Sequence, residues 1–161
     1  MNKKGFTLIE LLAVLVLLAI VMGITIVSVN NIFDNTKKKS EEAFVATIKD
    51  AMEMYLTSND AKNLSFSSTC SNKLKKSHGE RVVKYTTINF NNVISSEYKP
   101  ITKKDLVNPA NKDVSCDAPS NISVTVYRDE DYVYYYKINK SEFGCLTTSG
   151  VINNLPEGFS C

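Results

Sequence analysis

An uncharged apolar run near the start of the chain constrains its structure more than any other feature. The run covers residues 11–29, and most of its members are Leu, Val, Ile or Ala. As a helix it would be roughly 28 Å long at about 1.5 Å per residue, close to the thickness of a bilayer's hydrocarbon core. Lys3 and Lys4 precede it, and positive charge stays on the cytoplasmic side. We therefore expect a transmembrane helix with the following domain outside the cytoplasm.

Two other interpretations of this run are a cleaved secretory signal peptide and a plain membrane anchor. The apolar part of a signal peptide is about 7–15 residues long and is followed by small residues at the cleavage site. Here the run is longer, and Asn30-Asn31-Ile32-Phe33 follows it. A signal peptide is therefore disfavoured, whereas a plain anchor leaves Glu10 unexplained.

Glu10 stands at the start of the apolar run, where a carboxylate is unfavourable. A charged side chain at the bilayer centre costs about 2.5–3.5 kcal/mol, so ionisable residues in membrane segments point to function. Cleavage after Gly5 would create a positive charge, the α-amino group of Phe6. We predict that Glu10 pairs with this amine on a neighbouring chain.

The segment Lys3-Lys4-Gly5-Phe6-Thr7-Leu8-Ile9-Glu10-Leu11-Leu12 resembles the class III signal sequence of type IV prepilins and type II secretion pseudopilins. The resemblance extends over about the first 30 residues. It implies that a prepilin peptidase cuts between Gly5 and Phe6 and then methylates the Phe6 nitrogen, and that Glu10 guides the subunit into a filament. The implied partners are this peptidase, other pilin subunits, the inner-membrane assembly machinery and the cytoplasmic membrane.

The resemblance and the residue pattern together predict four regions and an α+β type IV pilin fold. They are a leader peptide at 1–5, a transmembrane and filament-core helix at 6–29, the amphipathic half of the same helix at 30–57, and an extracytoplasmic head at 58–161. No proline precedes Pro100, so nothing forces the helix to stop at the membrane.

The amphipathic half of the helix is marked by an apolar stripe at helical spacing. The stripe is expected to begin after Glu41 and to pack on a small antiparallel sheet. The helix is expected to end near Ser58-Asn59-Asp60, which are turn formers. The members of the stripe are Phe44, Val45, Ile48, Met52, Tyr55 and Leu56.

Residues 122–127 and 132–138 are the clearest strands of the head, and residues 81–90 are a further candidate. The first two are expected to form a hairpin with one buried and one wet face. A turn centred on Glu130 would place Tyr127 opposite Val133.

The acidic turn Asp129-Glu130-Asp131 admits a calcium site, since some pseudopilins bind calcium near the C terminus. It lacks an EF-hand pattern, so a solvated turn is the favoured interpretation. We predict no metal and no cofactor.

The four cysteines lie beyond the apolar run, which in an exported domain is typical of a disulfide framework. No pair has C-x-x-C spacing and the only histidine is His78, which disfavours a metal site. Four cysteines allow three pairings. Cys116 and Cys145 lie just beyond the open end of the predicted hairpin, which favours Cys116–Cys145 with Cys70–Cys161. The rival is Cys70–Cys116 with Cys145–Cys161, the latter resembling the C-terminal loop bridge of many pilins.

Two functions from different classes fit these features. One is a structural subunit of a type IV pilus-like filament that serves adhesion, motility, DNA uptake or secretion, located in the cytoplasmic membrane and, after assembly, outside the cell. The other is a monomeric, membrane-tethered extracellular binding domain. An enzyme is not predicted, because the chain has neither a G-x-S-x-G motif nor a P-loop. A net charge of +2, with 17 Lys and 2 Arg, gives no indication of nucleic-acid binding.

Overall fold

The computed structural model describes residues 7–72, 81–96, 101–109, 111–159 and 161. The chain divides into two compact units, Met1–Lys39 and Ser40–Cys161. The helices are α1 (Leu8–Thr57), α2 (Asn59–Lys62) and α3 (Phe90–Ile94), with 3-10 turns at Lys103–Asp105 and Lys140–Phe143. The strands are β1 (Ser68–Asn72), β2 (Arg81–Asn89), β3 (Val107–Asn108), β4 (Asn111–Ser115), β5 (Ser123–Arg128), β6 (Tyr134–Asn139) and β7 (Val151–Asn153).

Helix α1 runs without interruption for 50 residues, in keeping with the lack of proline. It ends at Thr57, where the prediction placed the turn. Ser58 has an extended backbone and its Oγ accepts a hydrogen bond from the N–H of Ala61 at 3.4 Å, so it caps α2. The chain therefore leaves α1 in a defined direction.

The predicted stripe of α1 is confirmed as the centre of the head's core. Ile48, Met52 and Tyr55 are fully buried or nearly so, and they belong to one cluster with the apolar residues of the sheet. Burial raises the pKa of Tyr136 on β6 to about 12, with a further contribution from Glu53 and Asp50 of α1. The shared core shows that α1 packs on the sheet, and the predicted α+β class is confirmed.

Five of the described strands form one antiparallel sheet in the order β1-β2-β5-β6-β7. Its inner face, which packs on α1, carries Val124 and Val126 of β5. The predicted strand at 81–90 is present as β2, but Phe90 already belongs to α3, where it is buried. β3 and β4 pair separately as a two-stranded sheet.

The hairpin of β5 and β6 is present, but the predicted register is wrong by two residues. Tyr127 pairs with Tyr135 rather than with Val133. The N–H of Tyr132 donates to the carbonyl of Asp129 at 3.2 Å, and Tyr132 has a left-handed φ of 61°, so the loop is a turn followed by a bulge residue. Because the register differs by an even number of residues, each side chain still lies on the face of the sheet that was predicted for it.

Asp129 holds this loop together and is not solvated, contrary to the prediction for the acidic turn. Its side chain is 5% exposed. Its Oδ1 accepts hydrogen bonds from the N–H of Asp131 at 3.0 Å and of Val133 at 2.8 Å, and its Oδ2 accepts from the hydroxyl of Tyr135 at 3.4 Å. Glu130 and Asp131 are exposed, as predicted.

We expect Asp129→Ala to lower the free energy of unfolding by about 1–3 kcal/mol, because two backbone N–H groups lose their acceptor. Asp129→Asn keeps an acceptor oxygen and should lose less. The exposed neighbour serves as the control, since Glu130→Ala should change stability by less than about 0.5 kcal/mol. Urea unfolding of the full chain in detergent measures all three. Equal losses of unfolding free energy in Asp129→Ala and Glu130→Ala would contradict the role given to Asp129.

Candidate functional site

The first turns of α1 expose apolar side chains on every side. Leu8 is 82% exposed, and the apolar residues after it are at least about half exposed within this unit. A helix that is apolar all round needs an apolar environment, either lipid or other protein. The exposed set is Leu8, Ile9, Leu11, Leu12, Val14, Leu15, Val16, Leu17, Leu18, Ile20, Val21 and Met22.

Glu10 lies in the first turn of α1, within this apolar surface. Its Oε2 accepts hydrogen bonds from the backbone N–H of Thr7 at 3.0 Å and from the Thr7 hydroxyl at 2.9 Å. The backbone N–H of Glu10 donates a hydrogen bond to the Thr7 hydroxyl oxygen at 3.4 Å. This reciprocal capping box satisfies free backbone donors at the helix start. Gly5 and Phe6, the predicted cleavage and methylation residues, lie outside the described residues.

A basic start, a Gly-Phe junction, a capped glutamate and an apolar helix thus follow one another in order. Residues 1–26 match the prokaryotic N-terminal methylation motif. This motif is the class III signal of type IV pilins and pseudopilins, so the predicted resemblance is confirmed for this segment. It supports a type IV pilin-like precursor that prepilin peptidase processes, and it belongs to structural pilin-type proteins rather than to an enzyme family.

Beyond the methylation motif the comparisons find no relative. No curated protein and no solved structure matches the chain. The motif is typical of proteins that are first anchored in a membrane and later form part of a surface filament. In the part of the chain that the structure describes, no helix reaches the length and apolar character that a membrane crossing requires.

Behind the methylation motif, Glu41 is a buried side chain of α1 whose position the sequence analysis misjudged. The apolar stripe was expected to begin after it, yet Glu41 is only 3% exposed. Its Oε1 accepts hydrogen bonds from the N–H of Thr147, at 2.9 Å, and from the Thr147 hydroxyl. Its Oε2 accepts from the N–H of Thr148 at 3.2 Å. The carboxylate therefore ties α1 to the loop that precedes β7.

The surroundings of Glu41 favour its charged form. Burial acts to raise its pKa, but the hydrogen bonds from Thr147 and Thr148 outweigh burial and hold the pKa below the ordinary value of 4.5. The Glu41 carboxylate, which clamps α1 to the loop before β7, is therefore ionised at neutral pH. Its partners lie more than 100 residues along the chain, so no local sequence signal could have identified it.

All four cysteines form disulfides in the structure, with the pairing that the sequence favoured. Cys116 and Cys145 have Cα atoms 4.7 Å apart, and Cys70 and Cys161 have Cα atoms 5.8 Å apart. The first bridge adjoins a backbone hydrogen bond of 2.8 Å from Asp117 to Phe143, just past the open end of the hairpin. The disulfide pairing was thus predicted correctly, although the hairpin register used to predict it differs from the observed one by two residues.

In the described residues, no group of three or more His, Cys, Asp or Glu side chains is arranged to hold a metal ion. At the acidic turn the Asp129 oxygens already accept from the loop's own donors.

We expect Glu41→Gln to destabilise the head at neutral pH by about 1–3 kcal/mol, as for a hydrogen-bonded charge. The folded pKa is depressed, so the stabilisation is present above pH 4.5 and is lost as pH falls through the folded value. The difference from the original chain should therefore shrink in acid, as measured by urea unfolding at pH 7 and pH 3. The exposed Glu42→Gln is the matched control. An equally large difference in unfolding free energy between Glu41→Gln and the original chain at pH 3 would contradict a role for the ionised Glu41 carboxylate.

Proposed function

We propose that the chain is a structural subunit of a type IV pilus-like filament. In this proposal prepilin peptidase cuts between Gly5 and Phe6, the Phe6 nitrogen is methylated, and residues 6–29 anchor the chain in the cytoplasmic membrane. The subunit then polymerises through α1, with the head outside the cytoplasm.

The observation that carries the proposal is the all-round apolar start of α1, which lies within the segment that matches the methylation motif. Twelve large apolar side chains between Leu8 and Met22 are exposed. A surface this extensive is unstable in water and must be covered by lipid or protein. A bilayer covers it before assembly, and the helices of neighbouring subunits cover it afterwards.

Glu10 separates a polymerising subunit from a simple membrane tether. In the subunit, Thr7 supplies two hydrogen-bond donors to its carboxylate but no positive charge. An α-amino group at Phe6 of the next subunit would neutralise the carboxylate between apolar helices, where a charge left without its partner is strongly destabilising. A tether needs neither this carboxylate nor cleavage at Gly5.

Processing is tested by the mass of the N terminus in cells with an active prepilin peptidase. We expect a chain that begins at methylated Phe6. Gly5→Leu should leave full-length precursor in the membrane, because a side chain there keeps the backbone from the catalytic groups of the peptidase. A parallel Gly23→Leu variant, which lies beyond the junction, should be cleaved normally. An intact Met1 start in the original chain would overturn the proposal.

Assembly is tested by Glu10→Ala in cells where the variant is the sole subunit. Membrane insertion should persist, because the substitution makes the segment more apolar. Filament yield should fall at least about tenfold, since an unpaired buried charge costs several kcal/mol and each 1.4 kcal/mol is a factor of ten. Glu42→Ala is the control on the same helix. Normal filament yield from Glu10→Ala, after verified processing, would refute the pairing.

A further inference from the structure

The side of the sheet that faces away from α1 carries a second apolar cluster. Side chains alternate along a strand, so Tyr127 and Tyr135 point opposite to Val126 and Tyr136. The hairpin prediction gave this side to solvent, but Tyr127 is only 6% exposed. The wet-face prediction is therefore wrong at this position. We call this side the outer face.

The outer face is covered by the chain that follows β7. Phe159 packs edge-on against Tyr127 with ring centroids 5.0 Å apart, and its centroid lies 6.1 Å from that of Tyr135. Tyr127 also lies beside Tyr85 of β2, at 5.9 Å. We call residues 154–159, together with Cys161, the strap.

The strap is held at both ends. At its start, the Oδ1 of Asn154 accepts a hydrogen bond of 2.8 Å from the N–H of Tyr136. At its far end, Cys161 is bonded to Cys70 in β1. β7 and β1 are the two edges of the five-stranded sheet, so the strap passes from one edge to the other over the strands between them. Val83, the cross-strand partner of Cys70, also points to this side and is fully buried.

The two disulfides differ in how far a thiolate can reach them. Cys145 is 5% exposed and belongs to the inner core, and Cys116 is half-buried against that core. Cys161 is exposed and Cys70 is half-buried. Exchange requires in-line attack of a thiolate on one sulfur, so access controls its rate.

We propose that Cys70–Cys161 is a redox modification site, a bridge that an external dithiol opens while Cys116–Cys145 stays closed, and that its opening uncovers the aromatic outer face. A thiolate of the dithiol attacks Sγ of Cys161, forms a mixed disulfide and releases the Cys70 thiolate. The second thiol of the dithiol then attacks the mixed disulfide and releases Cys161. The dithiol becomes a disulfide, two electrons reach the protein, and the two protons of the dithiol end on Cys70 and Cys161.

Once the bridge is open, only non-covalent contacts hold the strap. Phe159 is its aromatic anchor, and detachment would expose the rings of Tyr127 and Tyr135. The inner core, which α1 and the other disulfide close, is not opened by the same step. The reaction thus changes one face of the head and leaves the fold standing.

The test uses the full chain in detergent micelles and dithiothreitol as the dithiol. Free thiols are trapped with iodoacetamide at intervals, and the labelled peptides are quantified by mass spectrometry. Cys70 and Cys161 should become labelled at least about tenfold faster than Cys116 and Cys145, because access limits attack. In guanidinium the two bridges should open at similar rates. Equal rates in the folded chain, or faster opening of Cys116–Cys145, would overturn the proposal.

Two variants check that the strap controls the reaction. Phe159→Ala should speed opening of Cys70–Cys161 and leave Cys116–Cys145 unchanged, whereas the exposed Val151→Ala should alter neither rate. Brief chymotrypsin digestion reports the uncovering, since cleavage after Phe159 in the released strap should rise only after the bridge opens. Unchanged rates in Phe159→Ala, or no new cleavage on opening, would show that the strap does not cover this face as proposed.

Discussion

The packing of one face of α1 on the inner face of the sheet is the contact on which the head depends. Ile48, Met52 and Tyr55 are removed from water together with Val124 and Val126 of the sheet. Neither partner is stable alone, because a hairpin by itself is marginal in water and most helical stability in proteins comes from packing. The loops and short helices of the head are positioned around this layer, and Glu41 extends the contact from α1 to the loop before β7.

The sheet of this head has a partner on each side, and the two partners differ in kind. On the inner side a regular helix supplies a continuous apolar stripe. On the outer side an irregular strap supplies one large ring, Phe159, and the disulfide compensates for its few contacts by limiting the freedom of the chain. The packing of α1 on the inner face therefore follows from the periodicity of its apolar residues. The packing of the strap on the outer face depends on a covalent bond between residues 91 positions apart.

This difference explains which features the sequence could predict. The stripe of α1 and the buried alternation of β5 repeat locally, and both were recognised. The hairpin register was missed because the Asp129 side chain and the left-handed Tyr132 set the loop, and neither leaves a periodic signal. The Glu41 clamp and the covered outer face were missed because both depend on distant residues. At the candidate site the motif singled out Gly5, Phe6 and Glu10 because their spacing is local, and their roles stay predictions.

Two glutamates of α1, Glu41 and Glu10, lie in contrasting surroundings. Glu41 meets donors from a distant loop of its own chain, so its charge is balanced within the head. Glu10 has Thr7 as its hydrogen-bond partner within the described residues, and its neighbours on the helix are exposed and apolar. A carboxylate is tolerated in such surroundings only when a hydrogen-bond donor or a charge of opposite sign is brought to it. The apolar surface around Glu10 must likewise be covered from outside. In the proposed filament, another helix of the same kind that brings an amino terminus would meet both requirements.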